Sequence, residues 1–124
     1  MNSNFTTILR LILGLGLIVF GLNEFIGIFP SPELSPAASD FMSSLTATGY
    51  VLYFVGALEI IIGLLLLFKK WVPFALLVLV PISLNILLFH LFLDRPDILK
   101  AIIIVVFNAL LIIKYWKAYR PLFQ

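Results

Sequence analysis

The 124-residue chain contains no cysteine. Disulfides, thiol relays, iron–sulfur clusters and thiolate metal sites are therefore excluded within it. It has a single histidine, His90. One copy cannot supply a bis-histidine haem site. A lone histidine near an apolar block more often packs or is solvated than binds metal, because three or four ligands are usual, and no metal site is expected. Charge is scarce as well: 11% of residues are Asp, Glu, Lys or Arg, with a net charge of +2. The basic residues cluster near the ends of apolar blocks. That pattern reads as anchoring at a membrane surface and not as a nucleic-acid-binding face. No polar stretch is long enough to fold alone, so residues 1–124 are expected to form one integral membrane domain.

What the chain has in excess is apolar length. Its residues are 63% hydrophobic, against about 45–50% in ordinary soluble domains. The excess is gathered into long blocks, which favours membrane helices over a soluble core. The fold class expected is all-α, a bundle of four transmembrane helices spanning about residues 5–29, 45–68, 72–93 and 97–117. The first block has no Lys or Arg before Arg10 and outruns the apolar region of a signal peptide, so it is read as a retained span. The loop Pro30–Ser44 is rich in proline and serine, with room for a short interfacial helix over Ala37–Ser44. Pro73 falls in the first turn of the third span, where its missing N–H is harmless, and Pro81 should kink that span. Lys69, Lys70, Lys114, Lys117 and Arg120 mark one side, so both termini are expected in the cytoplasm of a bacterial inner membrane.

The stretch that organises the chain is Gly49–Phe68, GYVLYFVGALEIIIGLLLLF. It carries one ionisable side chain, Glu59, in a run of the length that crosses a hydrocarbon core of ~30 Å as a helix. A carboxylate at that depth needs a partner or a proton. Gly56 and Gly63 flank Glu59 at i−3 and i+4 and share its face. In the first span Arg10, Gly14, Leu17, Gly21 and Glu24 form a matching small-or-charged stripe. Gly14, Gly21, Gly56 and Gly63 are thus helix-packing glycines that let backbones approach closely.

Depth along the helices suggests two polar layers. The inner, buried layer is Arg10, Glu59, Asn85 and Asn108. Arg10 and Glu59 form either a structural lock between two helices or a ligand or proton site. Asn85 and Asn108 read as interhelical hydrogen-bond partners more readily than as ligands. The outer layer, a candidate ligand-binding set, is Asn23, Glu24, His90 and Lys100. Lys100 can also snorkel without a partner. No catalytic residue is assigned, because no complete catalytic constellation is present.

The segments RLILGLGLIVFGLNEF, GALEIIIGLLLLF and KKWVPFALLVLV resemble the DoxX family of small four-helix membrane proteins. The matching features are Arg10 at the start of the first helix, Gly21 before a polar residue late in it, and Glu59 within G-x-x-E-x-x-x-G, here Gly56, Glu59 and Gly63. Where many members carry a lysine late in the first helix, this chain has Asn23-Glu24. That reversal of charge is expected to turn Glu24 toward Lys100 or His90. The resemblance implies an accessory subunit in quinone- or redox-linked membrane metabolism, with quinone as the cofactor to test. The expected partners are the lipid bilayer and another membrane protein or further copies of the chain. Two other readings stay open: an assembly or scaffolding factor for membrane proteins, and a small-molecule or lipid transporter. If a quinone binds, His90, Glu24 and Lys100 are the groups expected near its carbonyls.

Overall fold

A computed structural model describes residues 3–30 and 33–124. Met1 and Asn2 of the expected polar start, and Ser31 and Pro32 of the expected loop, lie outside the described residues. The described residues are mostly helical, with six α-helices; the expectation was four transmembrane helices with room for a short one between the first two. They are α1 (Ser3–Ile26), α2 (Pro36–Ala47), α3 (Val51–Leu67), α4 (Val72–Leu93), α5 (Ile98–Lys114) and α6 (Trp116–Tyr119). Short 3-10 turns, Arg95–Asp97 and Arg120–Phe123, precede α5 and follow α6.

Three stretches are long and apolar enough to cross a membrane: Ser3–Ile26, Val72–Leu93 and Arg95–Lys114. A fourth is added if Pro36–Ala47 and Val51–Leu67 count as one broken span, although these two helices meet at 88°. Only 22–39% of the residues in the three long apolar windows are buried inside the protein. Their Leu, Ile, Val and Phe side chains therefore face largely outward, as lipid-exposed helices require and as a water-soluble fold does not tolerate.

The ends of the helices have local causes. The first span was expected to reach Phe29, but α1 stops at Ile26. Gly27 takes φ +63°, which ends a helix without a Cβ clash. Asn23 holds the turn: its backbone carbonyl accepts from Gly27 N–H at 3.0 Å and its side-chain Oδ1 from Phe29 N–H at 2.8 Å. The second span was expected to begin near Leu45, yet Leu45 belongs to α2 and the chain turns sharply after it. Thr48 makes the corner. Its hydroxyl donates to the Leu45 carbonyl at 2.6 Å and accepts from Val51 N–H at 3.2 Å, while Gly49 takes φ +81°. The expected helix over 37–44 is present and longer, opened by Pro36 and capped by Ser35, whose Oγ accepts from Ala38 N–H at 3.2 Å. In α4 the helix runs on through Pro81. The last span ends at Lys114, three residues short of the expected Lys117.

The long helices form a ring of neighbours. α1 lies mainly along α3 and α4 mainly along α5, with thinner contacts between α3 and α4 and between α1 and α5. One end of this ring carries Lys69, Lys70 and Lys114 and is called the basic end below; the other carries α2 and is the loop end. At the basic end, the Tyr119 hydroxyl donates to the Pro73 carbonyl at 2.6 Å and ties the C-terminal turn to the start of α4.

Candidate functional site

The site is built on the α1–α3 seam. The two helices run antiparallel, and their glycines meet in pairs. A Cβ on Gly63 would lie 2.6 Å from the Gly14 carbonyl oxygen, and one on Gly21 would lie 2.5 Å from that of Gly56. Both pairs repeat at seven residues, two helical turns, so the same face returns to the seam. Ile18 and Ile60 fill the adjacent space: each has its Cγ1 2.7 Å from the Cβ position of the facing glycine. Any side chain at Gly21 or Gly63 would strike backbone, which cannot step aside as a flexible side chain can.

That register decides the partner of Arg10. Four residues before Gly14, Arg10 falls level with the last turn of α3 and not with Glu59. Its Nη1 donates to the Leu66 carbonyl and, at 3.4 Å, to that of Leu67. The expected Arg10–Glu59 pair is thus corrected: Arg10 is buried, but it caps a helix. The last four carbonyls of α3 are all accounted for. Leu64 receives Phe68 N–H at 3.0 Å, Leu65 receives Lys70 N–H at 2.9 Å, and Leu66 and Leu67 receive the guanidinium. A cation there also meets the negative end of the α3 dipole. Lys69 and Trp71 adopt φ +55° and +49° to make the tight turn that follows.

Glu59 is left with a different neighbour. It is 7% exposed, and among the described residues no hydrogen bond or ion pair reaches its carboxylate. Its oxygens are not sealed off, since no buried side-chain oxygen or nitrogen lacks a partner among the described residues. The facing group is Glu24, whose Cβ and Cγ lie 3.0 and 3.1 Å from the Cβ position of Gly56, one turn from Glu59. Glu24 therefore does not turn toward Lys100 or His90 as expected. Side chains on a helix lean toward its N-terminus. On antiparallel α1 and α3, that lean brings the two carboxyl groups toward each other across Gly56.

The other inner-layer residues separate. Asn108 is buried; its Nδ2 donates to the Leu76 carbonyl at 3.1 Å, and its Oδ1 accepts from the Ser83 hydroxyl at 3.1 Å. Asn85 is exposed, which corrects its place in the buried layer. The inward face of α4 is Val72, Ala75, Leu76, Leu79 and Ser83. Asn85 lies two residues beyond Ser83, on the far side of the helix. Ser83 was the residue to choose, and its i, i+4, i+7 spacing from Leu79 and Leu76 was the available signal.

No hydrogen bond or ion pair among the described residues joins any two of Asn23, Glu24, His90 and Lys100. Asn23 caps α1, and Glu24 packs on α3. His90 Nδ1 lies 3.2 Å from Oδ2 of Asp94, a buried acid that caps the end of α4 and that spacing alone did not single out. Ser35 closes the loop over this corner, donating to the Leu93 carbonyl at 2.7 Å. Lys100 lines a separate groove of about 170 Å³ between α1 and α5, with Ile12, Gly16, Phe20, Ile103 and Phe107.

Apolar outward faces, glycine-tight helix contacts and buried polar groups satisfied by helix carbonyls together define an integral membrane protein of helical type. The chain belongs to the DoxX family, whose model matches residues 5–91. Arg10, Glu24, Glu59 and His90 fall within the matched stretch; Lys100 and Asn108 lie beyond it. The chain matches no curated protein. It matches no solved structure either.

Proposed function

We propose that this DoxX-family protein is an accessory membrane subunit in quinone- or redox-linked metabolism, and that it offers a lipophilic ring a resting place between α1 and α5. On this reading the chain is one membrane domain and crosses a bacterial inner membrane four times. α2 lies along the surface, and both termini are cytoplasmic by the distribution of Lys and Arg. The observation that supports the reading most is the α1–α5 groove. It is apolar, opens sideways toward lipid, holds two aromatic rings, Phe20 and Phe107, and carries Lys100 as its one charged group. Such a groove suits a flat ring with a polar edge. The chain has no thiolate to carry electrons, so electron transfer would need the quinone or a partner subunit.

The test is titration of the purified protein in lipid nanodiscs with decylubiquinone, alone and with its co-purifying neighbours. Saturable retention above that of protein-free discs, weakened by Phe20→Ala, is the expected result. No saturation in either preparation removes the quinone reading. Support for the assembly-factor reading is weaker. Gly14, Gly21, Gly56 and Gly63 are occupied by α1–α3 packing, so they are not free to grip another helix.

A further inference from the structure

We propose that Glu24 and Glu59 form a site for the ammonium group of a lipophilic amine entering from the bilayer at the loop end. This inference does not depend on the quinone groove, which lies on the α1–α5 side. It starts from an unpaired carboxyl group. Glu59 is the middle residue of α3, about 12 Å from either end. It is 7% exposed and unpartnered among the described residues. Glu24 leans over Gly56 toward it.

The chain's own cations are committed elsewhere. Arg10 is held by the Leu66 and Leu67 carbonyls, and the Arg95 Nε donates to the Leu91 carbonyl at 3.1 Å. His90 pairs with Asp94, and Lys100 lines the α1–α5 groove. Lys69, Lys70, Lys114, Lys117 and Arg120 follow α3 or close and follow α5, at the basic end. Two carboxyl groups inside an apolar seam need a proton or a cationic partner, and a protonated amine supplies the second.

The geometry selects the kind of cation. Among the described residues no group of three His, Asp or Glu gathers as metal ligands would. A primary ammonium has three N–H donors and suits two converging carboxylates. At the loop-end mouth of the seam the rings of Phe25 and Tyr53 lie 5.4 Å apart, ready for an apolar tail or for a cation over a ring face. With Glu59 only 7% exposed, a slender head group suits the site better than a packed helix.

The experiment uses the full chain in nanodiscs and equilibrium dialysis of 4-phenylbutylamine, with 4-phenylbutanol as the uncharged comparator. The expected result is saturable amine binding, about tenfold or more tighter than the alcohol, and weakened about tenfold by Glu59→Gln and by Glu24→Gln. Equal binding of the alcohol overturns the proposal. So does amine binding that survives both substitutions, an absence of saturation, or retention only of a lysine-bearing transmembrane peptide. If Glu59→Gln fails to fold, Glu24→Gln, half-buried near the end of α1, decides the matter alone.

Discussion

The two halves of the helix ring are built differently. The half toward the basic end holds the apolar core. Leu9, Leu13 and Leu17 of α1, Ile62 and Leu66 of α3, Val72, Ala75, Leu76 and Leu79 of α4, and Ile104 and Leu111 of α5 pack as one cluster. Toward the loop end the same helices contribute almost nothing apolar that is fully buried: among the described residues, Ala101, with Ala38 from α2. In place of a core that half holds Glu24, facing Gly56, and the His90–Asp94 corner. The glycine contact of Gly21 with Gly56 is what keeps α1 and α3 together there. One half of the molecule is sealed by side-chain packing, and the other is held by backbone contact and leaves polar groups reachable. A membrane protein that binds something from the lipid phase needs this division, because a sealed core has no room and an open one has no frame.

The comparison breaks most readily at its strongest point. Leu76 is fully buried in the core half, whereas Leu88, three turns on in the same helix, is 48% exposed. Leu76→Ala should lower stability by about 2–5 kcal/mol. Leu88→Ala should change it by less than about 0.5 kcal/mol, as surface substitutions do. Denaturant titration in mild detergent reads both. Equal losses would mean that the two halves are packed alike.

Next in size is the guanidinium cap. Arg10→Met removes the guanidinium from the Leu66 and Leu67 carbonyls, leaving Leu66 only backbone N–H donors from the turn after α3, with an expected cost of about 1–3 kcal/mol. Glu59 lies about eight residues up the helix from that cap, so the two groups should act independently. Glu59→Gln alone should be neutral or stabilising, since it removes an unpaired charge. In the double variant the effects should add to within about 0.5 kcal/mol. Recovery of the Arg10→Met loss by Glu59→Gln would show a direct charge pair in the folded state and would refute the cap.

These cases mark how far the sequence could be read. The apolar blocks, the glycine stripe and its role, and the burial of Arg10, Glu59 and Asn108 follow from spacing alone, because periodicity fixes which residues share a face. The partner of Arg10 does not follow, because it is a backbone carbonyl and no letter in the sequence marks one. Depth counted from the ends of apolar runs placed Arg10 within reach of Glu59; the glycine register, which only pairing of the helices reveals, separates them. The corner at Thr48-Gly49 was hidden inside an otherwise continuous apolar reading of Leu45–Phe68. Depth along the span places Asn85 in the inner layer, but position around the helix turns Ser83 inward instead. The reversal of charge at Asn23-Glu24 points Glu24 toward a cation; its lean along α1 directs it to another acid.

The smallest effect expected is at the basic end, where Tyr119 fastens the C-terminal turn to α4. Its hydroxyl is buried against the Pro73 carbonyl, and that burial, with Tyr115 adding repulsion, pushes its pKa up to about 12 from 10. The folded state therefore holds this proton more tightly than the unfolded chain. Its contribution should be complete below pH 10 and should fall as pH rises from 10 toward 12. Tyr119→Phe removes the hydroxyl and should cost about 1 kcal/mol at neutral pH. It should also flatten the alkaline loss, so that wild type and variant converge by about pH 12. Thermal unfolding in detergent across that range checks both the size and the slope. If the variant loses stability above pH 10 as steeply as the wild type, the alkaline weakness belongs to another group, and the fastening at Pro73 contributes less than its 2.6 Å contact suggests.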